Sequence, residues 1–435
     1  MTHTNAKNEI TLEIGSLSYG PYGVGRFDGK AVMVPKTAPG DLVAARIVAS
    51  KARYAIGEAL RVIEPSPLRQ MPPCPFVNEC GGCPWQHIRY DAQLKAKQQN
   101  VENALRRIGK LDGFELRPII ASPQEYRYRR RIRLQCDRAG KLGYFRPASH
   151  EVIEIDDCLI ADGKLTGFIA PLRRWVHDLA TVMEFVEIVA GDETGQVVVV
   201  GKTGGNFVPR DEGACESMFD KAGSISGLVL YGPNWRKTWG QATISVVVEH
   251  GISMKVDADV FTQINAEGNQ KILDELLAAG EFQSQDRVLE LYSGAGNFTL
   301  SIARRVSEVV AVEGSRLSIQ NGKLSAQRNG LENIRWVCSA VPAALSHLKQ
   351  RRKTFTRLVL DPPRAGAEGL EAELASFGAD KLLYVSCDPA TLARDLGALA
   401  NHGYQLRMVQ PIDLFPHSFH VESLALMTRD GSGRR

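Results

Sequence analysis

The chain has 435 residues, with 53 lysines and arginines against 49 aspartates and glutamates, for a net charge of +4. Its 44% apolar and 23% charged residues match an ordinary folded protein and exclude collagen-like, disordered and disulfide-dense classes. No apolar run reaches the roughly 18–20 residues of a membrane span, and the polar start, Met1 to Asn8, lacks the apolar stretch of a signal peptide, so a cytoplasmic chain without a membrane role is expected.

At roughly 100–200 residues per domain, two to four domains are expected. Residues 1–65 read as short strands between glycine turns, including Ile10–Ile14, Ala31–Pro35 and Leu42–Val48. That spacing suggests a small antiparallel barrel, or a β-rich extension used only for packing. Prolines 65, 67, 72, 73 and 75 form a linker into a second region, 66–256. This region opens on Cys74, Cys80 and Cys83, three of eight cysteines packed into ten residues. In a chain without an export signal such a cluster points to metal or redox chemistry, not to disulfides. Cys158 or Cys136 would supply a fourth thiolate, and four thiolates suit zinc or iron–sulfur equally by spacing.

Tyr90 to Lys110 has helical composition, with apolar Leu94, Val101, Leu105 and Ile108. A basic segment follows, in which Arg127, Arg129, Arg131 and Arg133 are interleaved with Tyr126 and Tyr128. Cations for phosphates beside rings for stacking describe a single-strand RNA surface, and a solvated charged strand is the ordinary alternative. The rest of the region is strand-like and irregular, so a mixed α+β domain is expected.

From 257 to 435 strands alternate with helices, which predicts a doubly wound parallel sheet with its ligand site beyond the carboxyl ends of the strands. Arg287–Leu291 runs into a Gly-x-Gly turn containing Tyr292, Gly294, Gly296 and Asn297. Glu313 ends the next strand, 23 residues after Glu290, where an acid accepts hydrogen bonds from ribose hydroxyls. Thr299 stands where a dinucleotide fingerprint has its third glycine, so S-adenosylmethionine is favoured over NAD. Asp361-Pro362-Pro363-Arg364 and Ser386-Cys387-Asp388-Pro389 end two later strands. The helix starting near Pro389 is expected to lower the Cys387 thiol pKa, although a lone cysteine is also a common buried apolar residue. Glu422 precedes the last strand, while His417 and His420 are read as packing or substrate contacts.

Together with Phe261-Thr262-Gln263-Ile264-Asn265 and Phe415-Pro416-His417, these ordered motifs resemble the RNA uracil-C5 methyltransferase family. The N-terminal barrel resembles a TRAM domain, an OB-like RNA-binding module, and with the cysteine cluster it extends the resemblance to the branch acting on large-subunit ribosomal RNA. The resemblance implies an OB-like barrel, an α+β central domain with an iron–sulfur cluster, and a Rossmann-like methyltransferase domain. It implies Cys387 as the nucleophile at uracil C6 and Glu422 as the base that removes the C5 proton. Gln263, Tyr292, Glu313 and Asp361 match S-adenosylmethionine-site positions, and Gly294, Gly296 and Asn297 of the turn join them. Cys74, Cys80, Cys83 and Cys158 become ligands of a [4Fe-4S] cluster with a folding or RNA-docking role. The expected partner is RNA, 23S ribosomal RNA ahead of tRNA, with no obligate protein partner. A noncatalytic RNA-binding protein stapled by the cluster is the alternative from another class.

Overall fold

The structure, a computed structural model, describes residues 9–193, 195–221 and 225–429, with all side chains there except those of 220 and 221. The polar start, Met1 to Asn8, lies outside the described residues. Among the described residues no helix is long and apolar enough to cross a membrane.

Five strands, β1 (Glu9–Leu17), β2 (Tyr22–Phe27), β3 (Lys30–Pro35), β4 (Leu42–Ser50) and β5 (Tyr54–Glu64), close into a barrel in the order β1-β2-β3-β5-β4. Alternation places Leu12 and Ile14, Val32 and Val34, and Val43 and Ala45 inside. A register shift between Ile14 and Ser16 breaks that alternation and turns Leu17 inward, out of the barrel core and onto Trp85 and Ile88. Helix α1 (Tyr90–Arg107) then packs on the C-terminal domain, and β6 (Glu115–Leu116) joins the edge of its sheet.

The central domain is a seven-stranded sheet of β7 (Arg131–Cys136), β8 (Leu142–Phe145), β9 (Val152–Glu154), β10 (Phe185–Ala190), β11 (Val197–Lys202), β12 (Gly227–Gly232) and β13 (Trp235–Gly240). Helices α2 (Gly163–Thr166), α3 (Ile169–Asp178) and α4 (Glu212–Lys221) accompany it. Strands β10 and β11 are buried almost throughout, as their apolar runs require. A hairpin, β14 (Thr243–Glu249) and β15 (Ile252–Asp257), shares an apolar core with the C-terminal domain through Val246, Met254 and Val256.

The C-terminal domain holds α5 (Ala266–Gly280), β16 (Arg287–Leu291), α6 (Thr299–Ala303), β17 (Glu308–Glu313), α7 (Arg316–Arg328), β18 (Ile334–Cys338), α8 (Val341–Gln350), β19 (Arg357–Leu360), α9 (Glu371–Ser376), β20 (Lys381–Ser386), α10 (Pro389–Ala400), β21 (Tyr404–Ile412) and β22 (Glu422–Arg429). The sheet order is β18-β17-β16-β19-β20-β22-β21-β6. Strands β16 to β20 are parallel, and β22 is inserted antiparallel beside β20. The order reverses between β16 and β19, and a crevice opens at such a switch point. Because β22 runs the opposite way, its first residue arrives where the parallel strands end.

Candidate active site

The loop after β16 is built to let a ligand reach backbone. Tyr292, Gly294 and Gly296 have φ of +63°, +56° and +103°, so three of five consecutive residues are left-handed. For Tyr292 that conformation is costly and is retained only where the surroundings impose it. Glu313, ending β17, ties the neighbouring loop to this one by accepting from the Gly294 N–H at 3.1 Å and the Ser315 N–H at 2.7 Å. The cavity is about 910 Å³ and runs from these residues past Gln263 and Asp361 to Cys387 and Glu422. Thr262 Oγ1 and Ser293 Oγ on its wall are buried without a hydrogen-bond partner, as befits a site for a polar ligand.

Ser386 pairs with Ser423, so one step further along the same register Cys387 faces Glu422. Glu422 is 6% exposed, and burial followed by the charge of Asp361 pushes its carboxyl up to about 8. Burial alone raises Asp361 to about 7. Burial and then the negative charge of Glu422 raise the Cys387 thiol to about 11, which corrects the expectation of a lowered pKa. The reason lies at the start of α10: the Asp388 carboxylate itself accepts from the Ala390 and Thr391 N–H groups, occupying the helix terminus and adding a negative charge beside the thiol.

Other expected residues are placed variously. Asn297 lines the cavity, but its amide is paired reciprocally with that of Asn269, at 2.9 Å in both directions. Gly296 backs onto Trp336, where an added Cβ would meet the indole at 3.0 Å. His417 is fully buried, has φ of +67° and lies against Tyr126, in keeping with packing. His420 lines the cavity, and burial lowers it to about 4, so it is neutral at physiological pH.

The basic segment does not present one row of free arginines. Arg127 pairs with Asp157 through two nitrogens and also donates to the Cys158 carbonyl. Arg131 is held by Glu187 and by the carbonyls of Ala258 and Val260. Arg133 is half exposed, pairs with Glu187 and lies over the Phe185 ring at 4.0 Å. Arg129 lines the active-site cavity, and its Nε is buried without a partner.

Cys74, Cys80, Cys83 and Cys158 are free thiols close enough for their charges to act on one another, with Arg129 near Cys80 and Cys83. Burial, and then the charge of its neighbour Asp137, raise the Cys136 thiol pKa. Among the described residues no group of three or more His, Cys, Asp or Glu side chains is arranged to hold a metal ion.

Two contributors are absent from the sequence expectations. Arg364, exposed at the cavity, lowers the pKa values of both Cys387 and Glu422 by its charge. Its place after Asp361-Pro362-Pro363 was a signal, since residues at strand ends line such crevices. Tyr19, from the barrel, carried no signal at all.

Residues 241–430 match the family model "tRNA (Uracil-5-)-methyltransferase", and residues 7–60 match the TRAM domain. A 23S rRNA (uracil(1939)-C(5))-methyltransferase from Hahella chejuensis is 34% identical, over 97% of this chain and 98% of its own. The chain belongs to the RNA uracil-C5 methyltransferase family. Its counterpart in Alkalilimnicola ehrlichii, of the same description, is 33% identical over 98% of this chain and 97% of its own. An uncharacterized RNA methyltransferase of Halalkalibacterium halodurans is 30% identical, over 97% of each chain. The crystal structure of Pyrococcus abyssi tRNA (uracil-54, C5)-methyltransferase with S-adenosyl-L-homocysteine shares the fold, with a TM-score of 0.73 at 22% identity, covering 96% of this chain and 100% of that one. The protein is thus an S-adenosylmethionine-dependent RNA uracil-C5 methyltransferase with an N-terminal TRAM domain, and the noncatalytic alternative is set aside.

Proposed function

We propose that this methyltransferase acts on a uridine of 23S ribosomal RNA through a covalent adduct between Cys387 and C6 of the uracil. The observation that carries the chemistry is the juxtaposition of a thiol and a buried carboxyl at one end of the cavity, across the β20–β22 register. Full-length similarity to two relatives described as 23S rRNA methyltransferases supports the substrate.

Unactivated C5 of uracil is a poor nucleophile. Attack of the Cys387 sulfur on C6 forms the S–C6 bond and moves the C5–C6 π electrons onto an enolate spanning C5 and O4. S-adenosylmethionine supplies the electrophilic methyl group when bound, with Gln263, Tyr292, Gly294, Glu313 and Asp361 as the residues to hold it. Glu422, as carboxylate, then removes the C5 proton, and the released electron pair re-forms C5=C6 and expels the Cys387 thiolate. A base with a pKa near 8 in a dry site suits that step at neutral pH. The thiol, at about 11, gives its proton to solvent as the uracil enters, and the charge of Arg364 favours the resulting thiolate.

We further propose Cys74, Cys80, Cys83 and Cys158 as the ligands of a [4Fe-4S] cluster with a structural or RNA-docking role. Three cysteines within ten residues, with Cys158 near enough for its charge to act on each of them, support this set. Arg129 and Arg133 are proposed to meet RNA phosphates, with Arg127 and Arg131 holding the surface behind them.

The test is to map 5-methyluridine in total RNA from cells with and without the gene. Loss at one 23S uridine, restored by the wild type and not by Cys387→Ala, is expected. Loss in tRNA would keep the chemistry and overturn the substrate.

A further inference from the structure

The barrel domain touches the catalytic centre itself. The phenolic hydroxyl of Tyr19 donates to the main-chain carbonyl of Cys387 at 2.7 Å, across 368 residues of sequence. The Tyr19 ring meets Phe419 edge-on with 5.6 Å between centroids, and His420 likewise at 6.3 Å. His420 in turn lines the active-site cavity. The turn carrying Tyr19 is fixed on both sides. Ser18 donates to the Tyr22 carbonyl from its N–H at 3.0 Å and from its hydroxyl at 3.1 Å, and the Gly20 N–H reaches the Ser18 carbonyl at 2.8 Å. The buried indole of Trp85 donates to the Gly20 carbonyl at 3.2 Å, while the Trp85 N–H binds the His417 carbonyl at 3.0 Å. One tryptophan therefore clamps the barrel turn to the loop that leads into Glu422.

We propose that Tyr19 is a positioning residue for methyl transfer, through which the TRAM barrel holds the Cys387 backbone and the His420 ring in register with Glu422. The inference rests on the reading of Cys387 as nucleophile. The Cys387 carbonyl belongs to the peptide plane joining the nucleophile to Asp388, so holding that oxygen fixes ψ at Cys387 and with it the direction of Cα–Cβ. On the Asp388 side, Ser386 Oγ accepts from the Asp388 N–H at 3.1 Å, and Asp388 caps α10. Tyr19 supplies the remaining restraint. Burial and the negative charges of Asp388 and Cys387 keep its phenol protonated, and therefore a donor, across the working pH range. A misdirected sulfur lowers the rate of attack on C6 without changing how RNA or cofactor binds.

The test is Tyr19→Phe in the full chain, which keeps the ring contacts and removes only the hydroxyl. With a 5-fluorouridine RNA, whose C5 has no proton to surrender, the rate of adduct formation should fall about tenfold, about 1.4 kcal/mol in the barrier. The kcat on normal RNA should fall equally, while KM for both substrates, RNA Kd and melting temperature stay within twofold or unchanged. A kcat within twofold of wild type would overturn the proposal. A loss confined to RNA Kd, or to stability with normal turnover per folded enzyme, would also overturn it, making the contact a docking or purely structural one. Cys387→Ala run in parallel separates the two readings. If it still turns over, the nucleophile reading fails on its own, whereas a dead Cys387→Ala beside a normal Tyr19→Phe removes Tyr19 alone.

Discussion

Replacing Glu422 by glutamine tests the buried carboxyl in two independent ways. The side chain keeps its size and loses its charge at a site only 6% exposed. Burial, with Asp361 nearby, raises the carboxyl from an ordinary 4.5 to about 8 in the folded state. Between those values the folded protein retains a proton that the unfolded chain releases. Stability therefore falls as pH rises through this window and is insensitive to this group below it. Integrated from pH 5.5 to 8.5, the linkage amounts to about 3 kcal/mol, and in the limit above pH 8 to about 5 kcal/mol. Glutamine cannot titrate, so unfolding by urea at a series of pH values should show the variant gaining about 3 kcal/mol on the wild type across that span. Parallel stability curves would refute the raised carboxyl. The same variant should add to RNA and accept the methyl group but stall at elimination, and an adduct-free product at the normal rate would remove Glu422 from the base role.

Three further outcomes are expected. In the wild type kcat should rise with pH through about 8, because Glu422 acts as a carboxylate; a flat profile from pH 6 to 8.5 would contradict this. Lys97→Met leaves the buried Asp413 carboxylate without its partner at 2.6 Å, so stability should fall by about 3–5 kcal/mol by chemical unfolding, and a loss below about 1 kcal/mol would deny the pair its role. Cys158→Ser should abolish iron incorporation measured by visible absorbance and iron content, while Cys136→Ser should leave it intact; the reverse pattern would exchange the fourth ligand.

Much of the catalytic domain was legible because its strands are continuous apolar runs whose ends carry unusual residues. Arg287–Leu291 is a strand with the bounds its composition predicts, Lys381–Ser386 ends where Ser386-Cys387 begins its motif, and the candidate site sits beyond their C-terminal ends. The barrel was legible from alternation and glycine turns. Helix α1 was legible as a helix but not in its buried face. Apolar spacing pointed to Leu94 and Ile108, yet Ile108 is exposed, and Gln93 and Lys97 line up with Val101 and Leu105 to form the buried stripe. Long polar side chains read as surface unless their partners are known, and here those partners, His417 and Asp413, lie more than 300 residues away. The arginine segment shows the same limit. Composition counts cations, whereas Arg127 and Arg131 are neutralised by Asp157 and Glu187 from distant strands and loops. The Cys387 thiol was misjudged because sequence shows the helix start but not that Asp388 occupies its N–H groups. Tyr19 lay beyond reach altogether, since a barrel turn contacts Cys387 only through the arrangement of two domains.

Covalent catalysis by Cys387 is tested most directly by mass spectrometry of the enzyme after reaction with 5-fluorouridine RNA and S-adenosylmethionine. The peptide containing Ser386-Cys387-Asp388 should carry the mass of a methylated fluorouridine nucleotide, and Cys387→Ala should carry none. An unmodified Cys387 peptide from enzyme that has methylated its RNA, or an adduct on another residue, would contradict the mechanism.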